Sequence, residues 1–413
     1  ENIQREDLNP VPTWKKGYLL RVGIDHFKEI NEKFSMEYGD FILRETAACI
    51  SSCMSEKQRV YKLMADEFLI LDVSSDDTKE AGKLFIKIRE SIDQFVEEND
   101  FEVMYTISGG SLALHSSENI EYSKVMKLTD FSLNEAKKRG RNRCYIFDEK
   151  DYSRFIRKGE ITQELREATR NGFQGFVAFY QPVIEAKSGR LSGAESLMRF
   201  SSSKFGMVSP VEFIPILEET GLIIPVGRWM MKEAMEKCSQ IRKVIPGFKV
   251  NINISQVQVS KSDVIIDIAD EMEKVGLSPE AMNIELTESD LLEGDINTQH
   301  FLKELKRMGI KLALDDFGTG YSNFHYLSEL DPEIIKIDRS FTSSAVADEK
   351  EYYLLKQFCR MIHNLGLKIC IEGVENQEEW AKIQKLEPDF GQGFFWGRPC
   401  GYDEFVRQFI EKK

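Results

Sequence analysis

Between residues 176 and 396, short β-prone segments recur eight times: FVAFYQPVI, GAESLMRF, KVNINIS, MNIELTES, KLALDD, IIKIDRS, LKICIEGV and FGQGFFW. Most are separated by stretches with helical periodicity, such as PVEFIPILEETG, VGRWMMKEAMEKCSQI, SDVIIDIADEMEKVG, TQHFLKELKRMG and EYYLLKQFCRMIHNLG. Strands that alternate with helices build parallel sheets, because a parallel pair needs a long crossover. Eight such units in roughly 240 residues match the count and length of a (β/α)8 TIM-like barrel. In that architecture functional side chains gather at the C-terminal ends of the strands, so residues late in each segment are the informative ones.

Those positions hold Glu195, Asn253, Glu285, Asp315 with Asp316, Lys336, Glu372 and Gln392. From 253 through 285, 315, 336 and 372 to 392 the steps are 32, 30, 21, 36 and 20 residues, each about one strand–helix repeat. Side chains distant in sequence are thus expected to converge on one mouth. Carboxylates and an amide are oxygen donors suited to hard divalent cations such as Mg²⁺, Mn²⁺ or Ca²⁺. Adjacent aspartates repel and are costly to bury unless a cation pairs them. Asp315 and Asp316 together fit two ions with the first carboxylate bridging, a clamp about 4 Å wide suited to phosphodiester hydrolysis. A lone acidic residue after a strand is ordinarily a helix cap or a solvated loop residue. DxFGxG and the ExxE of EGVE (372–375) are weak signals alone. The joint pattern at repeat spacing is what resists the bland reading.

The first third of the chain reads differently. Strand YLLRVGI, helices HFKEINEKF and YGDFILRETAACISSCM, the strand pair within VYKLMADEFLILDV, helix TKEAGKLFIKIRESIDQFVEE, strand EVMYTISGGSLAL, helix KVMKLTDFSLNEAKKRG and strand RCYIFD follow without regular alternation. That order predicts an α+β domain, a central sheet with packed helices. DYSRFIRKGEITQELREATRNG reads as a charged helix. The expected division is therefore 1–149, a linker helix at 150–172, and an α/β barrel at 173–413.

Composition narrows the function. A length of 413 residues exceeds one ordinary domain. A net charge of −14 argues against a polynucleotide partner, while leaving room for a small anion held by a local cluster or through metals. No apolar run reaches the ~18 residues of a membrane span. Seven scattered cysteines without CxxC, and five histidines without HExxH, speak against structural zinc and fit a reducing, cytoplasmic setting. The chain starts at Glu1 rather than Met, which leaves room for an upstream membrane-anchoring or sensory segment in the whole protein.

YQP (180–182), ESLMR (195–199), SPVEFIPILEETGLI (209–223), NIS (253–255), ELTES (285–289), DDFGTGYSN (315–323), KIDRSF (336–341), EGVE (372–375) and QGFFWGRP (392–399) resemble the EAL-domain phosphodiesterases, in order and over about residues 160–410. The resemblance implies hydrolysis of cyclic di-GMP to linear pGpG with two Mg²⁺ or Mn²⁺ ions per site. It assigns Glu195, Asn253, Glu285 and Asp315 to the first ion, and Asp315, Asp316 and Glu372 to the second. The signature reads Glu-Ser-Leu instead of Glu-Ala-Leu, a change that leaves the ligand in place. By the same resemblance Lys336 holds the nucleophilic water, and Lys336 and Glu372 are alternative candidates for the base. Arg199, Gln181 and Gln392 contact substrate. Glu288 and Glu375 support the DDFGTGYSN loop, which links the metal site to a dimer interface; a plain capping role for Glu288 is equally compatible. The first barrel strand is implied to run antiparallel to the rest, and a homodimer through the barrel is implied.

IDHFKEIN (24–31), EYGD (37–40), DEF (66–68) and EAKKRGRN (135–142) resemble the GGDEF family of diguanylate cyclases. The signature is damaged: Met64 and Ala65 replace its glycines, which would otherwise let a nucleotide approach the backbone. Gly23 stands where the family has a metal-binding aspartate, and Ser55, Glu56, Lys57 and Gln58 replace the product-inhibition RxxD. No cyclase activity is expected. Asn31 and Asp40 match guanine-reading positions, and Lys137 and Arg141 match phosphate contacts. Either GTP still binds and regulates, or these residues are structural; the bulk at Met64 and Ala65 favours the second. The leading reading is a metal-dependent cyclic di-GMP phosphodiesterase with an inactive cyclase-like domain. The alternative is a receptor that binds cyclic di-GMP without cleaving it and signals by conformational change, which ranks second because no ligand is missing.

Overall fold

The computed structural model describes residues 16–98, 105–115, 121–287, 296–318 and 330–411. They form two compact units, one ending at Arg157 and the other beginning at Lys158. The first contains β1 (Lys16–Ile24), β2 (Gln58–Lys62), β3 (Glu67–Asp72), β4 (Ile107–His115) and β5 (Cys144–Ile146), in the order β2-β3-β1-β4-β5. β1 is antiparallel to β3 and β4, and β5 is parallel to β4. Strand alternation sends Leu20, Val22, Phe68 and Ile70 to one face, under α2 (Met36–Cys53) and α3 (Thr78–Glu98). Leu19, Leu69, Leu71 and Leu112 go to the other, under α4 (Tyr122–Lys138). A short α1 (Phe27–Lys33) precedes α2. Gly110 permits the close seating of α4: a Cβ there would lie 2.2 Å from the Leu133 backbone nitrogen. The expected central sheet with packed helices is therefore what the chain forms.

α5 (Glu149–Arg170) carries the chain into the second unit, where Ile161, Leu165 and Ala168 are buried beside Phe176, Phe200 and Phe213. That unit is a closed eight-stranded barrel of β6 (Phe176–Glu185), β7 (Leu191–Ser202), β9 (Lys249–Asn253), β10 (Met282–Thr287), β11 (Lys311–Phe317), β12 (Ile334–Ile337), β13 (Lys368–Ile371) and β14 (Phe390–Gln392). The short β8 (Gly206–Val208) and β15 (Cys400–Gly401) flank β7 and β6. β6 is antiparallel to both its barrel neighbours, as the resemblance implied. The connection of residues 186–190 explains why: it is a tight turn, with Gly189 N–H donating to the Glu185 carbonyl, and a crossover helix has no room. Outward side chains such as Val250, Ile252, Met282, Ile284, Leu312 and Ile335 form the main core with the surrounding helices.

Several strands stop sooner than their apolar runs predicted. IIKIDRS is strand only to Ile337, because the Asp338 carboxylate accepts from Ser340 N–H and starts a helix at Arg339–Ala347. KVNINIS stops at Asn253, and Ser255 begins a capping box on the helix Gln256–Lys261. These helices, and those at Gln377–Ile383 and Tyr402–Phe409, add to the ones expected from periodicity. The first two are short and polar, so periodicity barely registers them.

Candidate active site

The interior of the barrel is stratified by strand alternation. Val183, Ala313, Ile334, Cys370 and Phe390 form an apolar layer. Two residues further toward the mouth on the same strands lie Asp315, Lys336, Glu372 and Gln392; on the reversed strand β6 the equivalent step leads back to Gln181. Glu195 on β7 and Glu285 on β10 complete the polar layer, both buried.

Lys336 organises it. Its Nζ lies 2.9 Å from Glu285 Oε2, 2.8 Å from Glu372 Oε1, 3.1 Å from Asp315 Oδ1 and 3.3 Å from Glu195 Oε2. Burial alone would lower the lysine's pKa, but Asp315, Glu195, Glu285 and Glu372 hold it well above the usual value. It therefore stays an ammonium. One cation cannot balance four carboxylates, and protonation shows the deficit. Burial and the neighbouring Glu195 charge push Glu285 well up. Burial, Asp315 and Glu195 push Glu372 up to about 8. Glu195 goes the other way: burial would raise it, yet Lys336 and donors from Gln392 and Asn253 hold it down. Oxygens of Glu195, Glu285 and Asp315 all lie within 4.8 Å of one another. An all-oxygen donor set short of positive charge fits hard divalent cations.

The Asp315–Asp316 pair raises a geometric problem, since neighbours on a regular strand face opposite ways. The ladder bulges at this pair. Leu314 pairs with Ile335 and Phe317 with Ile337, so the ladder absorbs one extra residue here. Asp316 takes a left-handed φ of 52°, and its N–H donates to Asp315 Oδ1 at 3.0 Å. Asp316 is exposed as a residue, and its pKa is raised by partial burial of the carboxyl, then by Asp315 and Asp338.

Around the carboxylates, Gln392 Nε2 donates to Glu195 Oε2 (2.7 Å) and Gln181 Oε1 (3.1 Å), and Asn253 Nδ2 donates to Glu195 Oε1 (2.9 Å). A cavity of about 220 Å³ opens here, lined among others by Gln181, Leu197, Glu372, Gln392, Arg339 and Phe394. Arg199 shares the face of Glu195 and Leu197 but lies beyond this lining; its guanidinium sits over Phe179 and donates to the Met198 carbonyl. Glu375 is paired with Arg339 at 2.6 Å. Gly373, at φ 71°, permits that arrangement: a Cβ there would meet Arg339 Cγ at 2.3 Å. Glu288 and residues 319–323 of the DDFGTGYSN loop lie outside the described residues. Arg339 and the buried Asn251 and Asn283 stand outside the set expected from the sequence. The period-two signal for the asparagines was present, since each stands two residues before a named site residue.

A larger cavity, about 1000 Å³, lies beside the N-terminal ends of β11, β12 and β13. There Glu333 bridges Lys311 (2.5 Å) and Lys368 (3.0 Å), one carboxylate between two ammonium groups. That end of a barrel is ordinarily structural.

In the first unit the sequence-selected residues fall in two places. Asn31 packs against Gly39, next to Asp40; a Cβ on Gly39 would lie 1.9 Å from Asn31 Oδ1. Lys137 reaches over Gly23: a Cβ there would be 3.2 Å from its Nζ, which stands 3.9 Å from Asp66. Arg141 occupies a left-handed turn, with φ 56°. Met64 is exposed at the hairpin tip, and Ala65 holds a left-handed φ of 53°. An ammonium beside Asp66 and no carboxylate at 23 make a poor cation site.

Residues 162–399 match the EAL domain, and residues 5–143 match the diguanylate cyclase GGDEF domain. The chain is 29% identical over 392 residues to the bifunctional diguanylate cyclase/cyclic di-GMP phosphodiesterase MucR of Pseudomonas aeruginosa, covering 94% of this chain and 56% of that protein. It is 30% identical over 390 residues to the signaling protein YkoW of Bacillus subtilis, covering 94% and 48%. It is 26% identical over 399 residues to the cyclic di-GMP phosphodiesterase NbdA of P. aeruginosa, covering 95% and 50%. The chain thus spans about half the length of the curated relatives it matches. Among solved structures, the PaMucR phosphodiesterase in its c-di-GMP complex superposes with a TM-score of 0.56 at 29% identity, covering 60% of this chain and 99% of that one. The cGMP-bound EAL enzyme Bd1971 gives 0.59 at 26%, covering 72% and 80%. A barrel of this topology, with its first strand reversed and its acidic mouth intact, belongs to the EAL domain family, and in this chain it follows a GGDEF domain.

Proposed function

We propose that the barrel hydrolyses cyclic di-GMP to linear pGpG with two Mg²⁺ or Mn²⁺ ions. Glu195, Asn253, Glu285 and Asp315 would hold one, and Asp315, Asp316 and Glu372 the other. The observation that carries this reading is the convergence of four carboxylates on Lys336 at one barrel mouth. Bound ions of this kind supply charge neutralisation at a phosphodiester and a more acidic water. The chain's own groups do the rest. Lys336, held as an ammonium, donates to the attacking oxygen and favours its deprotonated form. An ammonium has no lone pair with which to accept a proton, so the acceptor role falls to Glu372. Gln181, Gln392 and Arg199 orient the dinucleotide.

Incubation with cyclic di-GMP and Mn²⁺ should yield pGpG by chromatography. Tight binding by calorimetry with no turnover in any divalent metal would favour the receptor reading instead. Metal binding should also be proton-linked. Below pH about 8 a cation must displace the Glu372 proton, and the raised Glu285 carboxyl adds to the protons released. Mn²⁺ affinity should therefore rise with pH through that value, and calorimetry in buffers of different ionisation enthalpy should register proton release on its acid side. A flat affinity would contradict this.

The same reading makes the GGDEF domain catalytically silent and structural. Its support is Lys137 over Gly23 and the substituted hairpin tip. With GTP and Mg²⁺ no cyclic di-GMP should form, and GTP should leave the hydrolysis rate unchanged. A GTP-dependent rate would overturn the structural role of Asn31, Asp40, Lys137 and Arg141. Dimerisation through the barrel is part of this proposal, and light scattering reads it.

A further inference from the structure

One level below the mouth, the barrel interior is apolar on β6, β11, β12, β13 and β14, where Val183, Ala313, Ile334, Cys370 and Phe390 meet. On β9 and β10 the same level is occupied by two amides. Asn251 and Asn283 are register partners, 7% and 4% exposed, each two residues before Asn253 and Glu285. Aliphatic side chains of similar size would fill this level without desolvating polar atoms, so packing does not account for them. A buried amide is costly unless its hydrogen bonds are made.

The hydrogen bonds form a directed chain. Asn283 Nδ2 donates to Asn251 Oδ1 at 2.8 Å, and Asn251 Nδ2 donates to Glu285 Oε1 at 2.7 Å. Ser196 Oγ donates to the Asn251 carbonyl at 2.8 Å, which ties down its backbone. The direction follows from chemistry. Asn251 turns its NH₂ to Glu285 and its oxygen to Asn283, the orientation a cation-bound Glu285 requires, because an ionised carboxylate only accepts. Asn283 then donates, and its own Oδ1 is left buried without a partner. The chain ends on an unsatisfied atom, a cost borne at the end remote from Glu285.

Glu285 is fully buried, and its two oxygens have different tasks. Oε1 is held from below by Asn251, while Oε2 faces Lys336 at 2.9 Å and the other carboxylates. The terminal torsion of a glutamate is soft, and a donor on one oxygen fixes the plane of the carboxylate. We propose that Asn251, oriented by Asn283, is a positioning residue that aims Glu285 Oε2 into the cation site. This inference rests on the metal-dependent reading given above.

The test compares Mn²⁺ binding to chelator-stripped parent protein and to the double variant N251L/N283L, by calorimetry, with thermal melting alongside. Replacing both partners by apolar groups avoids a new unpaired amide and leaves only Glu285 Oε1 without its donor, so the melting temperature should fall by no more than a few degrees. Mn²⁺ affinity should fall by about 10–100-fold, the usual effect of removing a group that orients a metal ligand. Asn251→Ala, which removes the donor to Glu285, should weaken Mn²⁺ in the same range and serves if the double variant does not fold. Parent-like Mn²⁺ affinity in the folded variants, with or without a lower melting temperature, overturns the inference. A parent that binds no Mn²⁺ would overturn the metal-dependent reading as well, so the two failures are distinct.

Discussion

Lys336→Met should lower the melting temperature of the chelator-treated barrel by roughly 10 °C and have a much smaller effect once Mn²⁺ is added. The lysine is 1% exposed and lies within 3.3 Å of four carboxylates. Removing one partner from a buried charge network typically costs about 3–5 kcal/mol, because the remaining charges are left uncompensated. Divalent ions restore that compensation, so bound Mn²⁺ should recover most of the loss. Lowering the pH should recover part of it by a different route, because Glu285 and Glu372 already lean toward the protonated form. Hydrolysis should be lost in all conditions. A melting shift of the same size with and without Mn²⁺ would mean that the lysine and the ions do not serve the same carboxylates.

Glu195→Gln should reduce kcat on cyclic di-GMP by at least about 10³-fold, since metal charge stabilisation is worth several kcal/mol and each 1.36 kcal/mol is a factor of ten. The fold should survive. Glutamine keeps the shape and relieves repulsion on Glu285 and Glu372, both of which are raised by the Glu195 charge. Its cost is local: Glu195 accepts from Asn253, Gln392 and Lys336, and an amide offers one acceptor where the carboxylate offered two. Melting within a few degrees of the parent, with turnover lost and Mn²⁺ bound more weakly, is the expected result. Parent-like turnover would remove Glu195 from the ligand set.

Much of the barrel was legible because its strands are buried on both faces and its polar residues come at repeat spacing. The run KLALDD reads as a strand ending in charge, and it is one. The bulge that breaks the ladder at this pair, between Leu314 and Phe317, was not legible. The reversed β6 came from family resemblance alone, yet the loop of residues 186–190 is too short for a parallel crossover and carried that information. The Arg339–Glu375 pair depends on a glycine at 373 and a helix start at 338, and neither registers in hydrophobic periodicity. In the first domain, the sequence showed that Gly23 lacks a side chain. Only the fold shows that Lys137 fills the space above it.

The central claim is that one barrel mouth gathers these oxygens around two divalent ions. Anomalous diffraction from a crystal grown with Mn²⁺ and cyclic di-GMP tests it most directly. Two manganese peaks should appear, one among Glu195, Asn253, Glu285 and Asp315 and one among Asp315, Asp316 and Glu372. Dinucleotide bound with no peak at the mouth, and Lys336 still enclosed by the four carboxylates, would contradict it.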